Sequence, residues 1–181
     1  MPSLSFKPRV PVCDANVRVG DTPGTLSPSP TRADLLAVMN RHGVGRAVIY
    51  HAQTEQRSPT EGNRRLEEWI GADGRLAPQW SVLPTADSLR QIKELHAAGR
   101  VSSVRLYEVR SAEAPFPPAR LPFRRWAWDE VLSWLRAERI PAWISLPDAD
   151  PDELVGTLSA YPDLVTVLVG AHYSHALWVR P

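Results

Sequence analysis

One cysteine in 181 residues leaves no partner for an intrachain disulfide and rules out a cysteine-rich zinc site. That cysteine, Cys13, stands within an apolar stretch and is expected to be a small buried core residue. Charge of one sign is also lacking. A formal net charge of +1 offers no electrostatic grip on nucleic acid or on an anionic membrane surface. No segment approaches the ~20 apolar residues of a membrane span. Lys7 and Arg9 near the start are not followed by the apolar core of a signal peptide, so the expected compartment is the cytoplasm. Three common nucleotide and hydrolase signatures are missing: G-x-S-x-G, the P-loop and G-x-G-x-x-G. Gly43-Val44-Gly45 lacks the third glycine and precedes a strand instead of following one. Glycine is scarcer than proline, 10 against 18, and the prolines are spread between apolar segments. That distribution suits rigid turns, not disorder.

What remains is an ordinary globular composition, 43% apolar and 23% charged, enough for one good core. Residues 1–11 form an irregular leader, and strand and helix then alternate. A first strand is expected at about 12–18, followed by a proline- and serine-rich loop over 19–30. Thr31 with Asp34 three residues later is a helix cap, and Leu35, Leu36, Val38 and Met39 supply the apolar stripe. Gly43 stands where a left-handed residue should stop that helix. Strand two covers 44–50, and Ser58-Pro59-Thr60-Glu61 starts a helix with Leu66, Trp69 and Ile70 inward.

Strand three is expected at 77–83. Asp87 caps the next helix, which carries Leu89, Ile92 and Leu95 and closes near Gly99. Strand four covers 101–107, and a long connection over 108–125 leads to a helix with Val131, Leu132, Trp134 and Leu135. Strand five covers 141–146. Asp150-Pro151-Asp152-Glu153 repeats the cap, proline and glutamate pattern before Leu154, Val155 and Leu158, and strand six covers 164–170. About six strands with a helix between each pair imply a parallel sheet. Nothing marks a second domain, so residues 1–181 are expected to be one. Two architectures fit this pattern, and periodicity alone favours an open doubly wound sheet over a (β/α)8 barrel of roughly 250 residues.

Several stretches, in order, resemble the amidohydrolase superfamily, and its amidohydrolase-related branch in particular. Val12-Cys13-Asp14-Ala15-Asn16-Val17-Arg18-Val19-Gly20 is similar to the first barrel strand of that family, which ends in Asp-x-His-x-His-x-Gly. Gly43 to Ile49, with Asn63 after it, resembles the second strand, and Ala77 to Pro84 the third. Ser102-Ser103-Val104-Arg105-Leu106 resembles the fourth, and Pro141-Ala142-Trp143-Ile144-Ser145 the fifth. Tyr161-Pro162-Asp163-Leu164 with Val167 to His172 resembles the sixth. The likeness covers about residues 12–175 and reverses the choice of architecture. It implies an α/β fold, an incomplete (β/α)8 TIM-type barrel of about six parallel strands alternating with helices. Strands seven and eight, with the family's strand-eight aspartate, have no counterpart before Pro181, which points to a fragment or a truncated reading frame.

The resemblance also marks where the metal ligands should be, and they are depleted. Asn16 and Arg18 stand at the two histidine positions of strand one, and Ser145 at the histidine of strand five. Arginine has no lone pair to give, and its charge repels a cation. Only His172 matches a ligand position, so no cofactor is expected, a divalent metal such as zinc being the alternative. His172 at the mouth is then a candidate general base or a hydrogen-bonded structural histidine. Arg18 and Arg105 near strand ends suit an anionic carboxylate or phosphate, or else pair with Asp14 and Glu108. Asp14 and Asn16 complete the candidate binding set. His51 ends strand two and faces the same mouth, while His42 and His96 lie near helix ends, where a cation suits the dipole. The stretch 108–128, rich in arginine and tryptophan, is a lid, an interface or simply a long connection.

Two functions follow. One is a hydrolase that works without metal on a small anionic carboxylate or lactone, as some branches of the superfamily do, with His172 activating water and the arginines holding substrate. The other is a non-catalytic relative that keeps the scaffold for binding. The partner expected is a small molecule, not nucleic acid or membrane, and no feature of the sequence sets an oligomeric state. Because Asn16, Arg18 and Ser145 take three ligand positions, purified protein should carry little zinc, manganese or iron by elemental analysis. A stoichiometric metal that disappears in His172→Ala would overturn that expectation.

Overall fold

The computed structural model describes residues 8–21, 29–56, 58–106, 122–146 and 150–172, with the side chains of 55 and 56 excepted. The chain divides into two compact units, Met1–Gln79 and Trp80–Pro181. The class is α/β, and every strand pairing is parallel.

The first unit contains β1 (Val12–Val19), α1 (Arg32–His42), β2 (Val44–His51), α2 (Gln53–Gln56), α3 (Pro59–Ile70) and β3 (Leu76–Pro78), with strand order β1-β2-β3. Its helices start where side chains can take the orphan amides of a first turn. Thr31 accepts from the Asp34 N–H and Asp34 returns to the Thr31 N–H, a complete reciprocal cap, and Gly43 at φ 67° ends α1. Ser58 accepts from the Glu61 N–H ahead of Pro59 at the start of α3. Ala47 and Ile49 of β2, Leu66 and Ile70 of α3, Leu76 of β3 and Met39 of α1 are buried together in this unit's core. Two expectations fail here. Val38 is half exposed, so α1 buries Met39 and only partly Leu35 and Leu36. Cys13 is exposed, not core, because it belongs to the end strand of the sheet, where residues 13–16 are all exposed and the register shifts between Asp14 and Val17.

The second unit contains β4 (Trp80–Val82), α4 (Ala86–Ala97), β5 (Val104–Leu106), α5 (Arg125–Ala137), β6 (Ala142–Ser145), α6 (Pro151–Leu158) and β7 (Thr166–Val169), with strand order β4-β5-β6-β7. Successive strands are neighbours in both sheets, as short parallel crossovers dictate. The expected third strand is really two pieces, β3 and β4, parted at Gln79. Pro78 has no N–H to carry the ladder on, and the Gln79 N–H donates to the Ile49 carbonyl at 2.7 Å. The cap of α4 is Thr85, not Asp87. Thr85 is the extended residue whose hydroxyl meets the Ser88 N–H, and Asp87 sits inside the first turn.

Trp80, Val82, Val104, Trp128, Leu132, Leu135 and Ala142 form the dry centre of this unit. Polar ties pin its helices. The Trp80 indole N–H donates to the Arg100 carbonyl at 2.8 Å, and the Tyr161 hydroxyl donates to Asp129 at 2.5 Å. Ahead of α5, the Phe123 N–H donates to Glu153, and its carbonyl accepts from the buried Thr157 hydroxyl at 2.6 Å. Among the described residues no helix is long and apolar enough to cross a membrane.

Asp150 accepts from the N–H groups of both Asp152 and Glu153 at the start of α6. Asp150→Ala leaves those two donors to water and should lower stability by about 1 kcal/mol. Urea denaturation would show this as a lower midpoint at unchanged slope, and an unmoved midpoint would mean that the cap contributes nothing.

Candidate functional site

Asp14, Asn16 and Arg18 all lie on β1 of the first unit and are exposed. The Asp14 carboxylate accepts from the Asn16 backbone N–H at 3.3 Å, which holds the strand across its register shift. Arg18 pairs in register with Tyr50 of β2. Arg105 and His172 belong to the second unit. Arg105 is only 3% exposed on β5, between Ser81 of β4 and Trp143 of β6. His172 is exposed just after Gly170, whose φ of 71° turns the chain at the end of β7. Ser145 is half-buried opposite Val169. Asp14, Asn16 and Arg18 are therefore brought together on one strand of the first unit, and Arg105 and His172 belong to the second.

Much of the candidate lid, with Arg110 and Arg120, lies outside the described residues, as does His175. What is described of it is helical. Arg125, Trp126 and Trp128 stand in the first turn of α5, with Trp128 fully buried against Phe123 at 5.3 Å between ring centres. Arg124 pairs with Glu153 at 2.8 Å and Arg125 with Asp129 at 3.1 Å. Trp128 thus serves packing, while Trp126 is 72% exposed and the two arginines lie at the surface in ion pairs. Among the described residues no group of three histidine, cysteine, aspartate or glutamate side chains is placed to hold a metal ion.

A concavity lies in the first unit, at the ends of β1 and β2. A cleft of about 960 Å3 is lined by Gly20, His51, Arg32, Arg65, Glu68 and Trp69 among others. Arg18 is not in its wall. His51 ends β2 opposite Val19 and is 6% exposed. Its Nδ1 accepts from the Gln53 backbone N–H at 3.2 Å, so the neutral ring carries its proton on Nε2. The ring lies where a side chain at Gly20 would begin: a Cβ there would sit 2.3 Å from Nε2. Gly20 also has φ +87°, which L side chains rarely adopt, so glycine is required twice over.

Burial, above all, holds the His51 pKa below the ordinary imidazole range. The nearby Arg65 charge adds to that, against smaller opposing effects of Asp21, Glu61 and Glu68. Beside it, Glu61 bonds Arg64 at 2.7 Å and Arg65 at 3.0 Å, and Glu68 bonds Arg64. The Arg64 hydrogen bond, chiefly, pushes the Glu61 carboxyl down to about 2. Chemically the cleft offers a neutral imidazole donor, guanidinium groups and an indole wall. The sequence placed His51 at a strand end facing the mouth, with a functional role as one reading; the sign it missed was Gly20, read as a motif residue without a structural partner.

No family model matches the chain, and no curated protein matches it by sequence. Solved structures do match by fold. A probable 2-pyrone-4,6-dicarboxylic acid hydrolase of Acinetobacter baumannii, crystallised with citric acid bound, is 14% identical with a TM-score of 0.56 over 88% of this chain and 58% of its own. An uncharacterized TIM-barrel protein of Bordetella bronchiseptica is 12% identical with a TM-score of 0.58, over 88% of this chain and 66% of its own. An amidohydrolase of Mycobacterium avium subsp. paratuberculosis is 14% identical with a TM-score of 0.55, over 83% and 55%. These likenesses show the fold class alone, an α/β fold of the TIM-barrel type. The chain spans between 55% and 66% of the length of these structures.

The depressed His51 pKa has a consequence for stability. Above the unfolded imidazole value of about 6.5 the ring is neutral in both states and contributes no pH dependence. As pH falls through that value the unfolded chain takes the proton first, so folding weakens until the lower folded value is reached. Wild type should therefore lose more stability between pH 7.5 and 5.5 than His51→Gln does, in urea titrations at each pH. Parallel curves for the two proteins would contradict a depressed His51.

Proposed function

We propose that this chain is an amidohydrolase-like hydrolase protein that takes a small anionic substrate, a carboxylate or lactone, without a metal, and acts in the cytoplasm. The observation that carries the proposal is β1, where Asn16 and Arg18 stand exposed at the positions that the family resemblance gives to metal-ligating histidines. A guanidinium there favours an anion where a cation would otherwise sit. Asp14 braces the strand through the Asn16 backbone, and the Asn16 side chain carries both donor and acceptor chemistry on the same strand as the arginine.

A non-catalytic binding scaffold is the second reading, favoured by the exposure of His172, since a general base works best shielded from bulk solvent. Titration calorimetry with malonate, succinate and citrate tests the proposal. Arg18→Ala should weaken binding by about tenfold or more, as loss of a charge-assisted hydrogen bond does, and EDTA should change nothing. Equal affinity in wild type and Arg18→Ala would remove Arg18 from the site.

A further inference from the structure

We infer that the cleft at the ends of β1 and β2 in the first unit is a binding site for a small organic acid, whose carboxylate takes the Nε2–H of His51 and the guanidinium of Arg65. The inference rests on the reading that this chain binds small carboxylates, and it adds a point of contact in a pocket that Arg18 does not line.

Three observations converge on it. The first is the locked tautomer. His51 is 6% exposed, and its Nδ1 is committed to the Gln53 N–H, so Nε2 presents a proton along the wall of the cleft. No acceptor among the described residues takes that proton. Protonating the ring would set an Nδ1–H against the Gln53 N–H, so the group stays a neutral donor. Where that N–H meets the cleft it is open to an acceptor from outside the described residues.

The second observation is the balance of charge. Arg65 lies close enough to act on the His51 ring, and Arg32 at the start of α1 lines the same cleft. Of the two carboxylates in the wall, Glu68 is held by Arg64 and lies 3.8 Å from Arg65. Glu61 bonds Arg65 at 3.0 Å, so Arg65 offers a ligand the guanidinium edge that those two glutamates leave. The third is the apolar side: Trp69, Leu36 and Ala33 line the cleft with the polar groups. A wall of that kind suits the carbon body of an organic acid better than a bare inorganic ion.

The test follows the ring nitrogens of His51 by 15N NMR in the full chain, assigned by their disappearance in His51→Gln, during additions of malonate, succinate, citrate and, separately, inorganic phosphate. A dicarboxylate or tricarboxylate should shift Nε2 saturably and leave Nδ1 an acceptor. His51→Phe, which has no donor, should lose at least tenfold in affinity, while His51→Gln, which keeps an N–H near the same place, should lose less. Melting curves of both variants show whether each still folds; if His51→Phe does not, the ring shift in wild type and the affinity of His51→Gln decide. Phosphate binding as tightly as the organic acids would overturn the assignment of ligand. Carboxylate binding that Arg18→Ala abolishes, with the His51 ring unmoved, would overturn this site and leave the proposed function standing. No carboxylate binding at all would sink both.

Discussion

The first unit depends on two glycines that make room for neighbours distant in the chain. The His51 ring occupies the space of a missing side chain at Gly20, and Thr54 occupies the corresponding space at Gly62, where a Cβ would meet its methyl at 2.2 Å. Between them the backbone is tied at each step. The Ala52 N–H donates to the Val19 carbonyl at 2.7 Å, the Gln53 N–H to His51, and the Thr54 hydroxyl to the His51 carbonyl at 2.7 Å. Strand end, turn and helix α3 are thus held by contacts that tolerate no added atom, which fixes where the imidazole points. A donor oriented in advance loses little entropy when a ligand accepts its proton.

Charge is handled differently in the two units. In the first, Glu61, Arg64, Arg65 and Glu68 form an exposed lattice on one face of α3, where each pair contributes little but their spacing keeps the arginines ordered beside the cleft. In the second, a single guanidinium, Arg105, is taken into the sheet at 3% exposure. A buried charge of that kind is costly without partners, so Arg105 is set by its surroundings far more firmly than Arg18 at an exposed strand.

The local grammar of the chain was legible. Thr31 with Asp34, Ser58 with Pro59, and Asp150 with Pro151 each cap the helix that their side-chain chemistry foretells. Parallel, sequential strands followed from the alternation, and the family resemblance led to the barrel class that periodicity alone did not favour. What failed needed knowledge of neighbours. Cys13 reads as core in a stretch of apolar residues, but burial depends on what covers a strand, and the start of β1 lacks that cover. Pro78 broke a strand that propensity ran through, and Trp126 and Trp128 belong to a helix start, not to a loop. The cleft was the least visible feature, since nothing local links Gly20 to His51.

β1 is the end strand of its sheet among the described residues, with β2 on one side only. An edge of that kind exposes backbone donors and acceptors to any passing strand, and charged side chains are a common means of keeping other chains from adding to it. Asp14 and Arg18, four residues apart on that edge and both exposed, are suited to this work whatever they bind. Their charge therefore serves colloidal solubility independently of any ligand, so lysine in place of the arginine preserves that protection whereas a neutral residue gives it up.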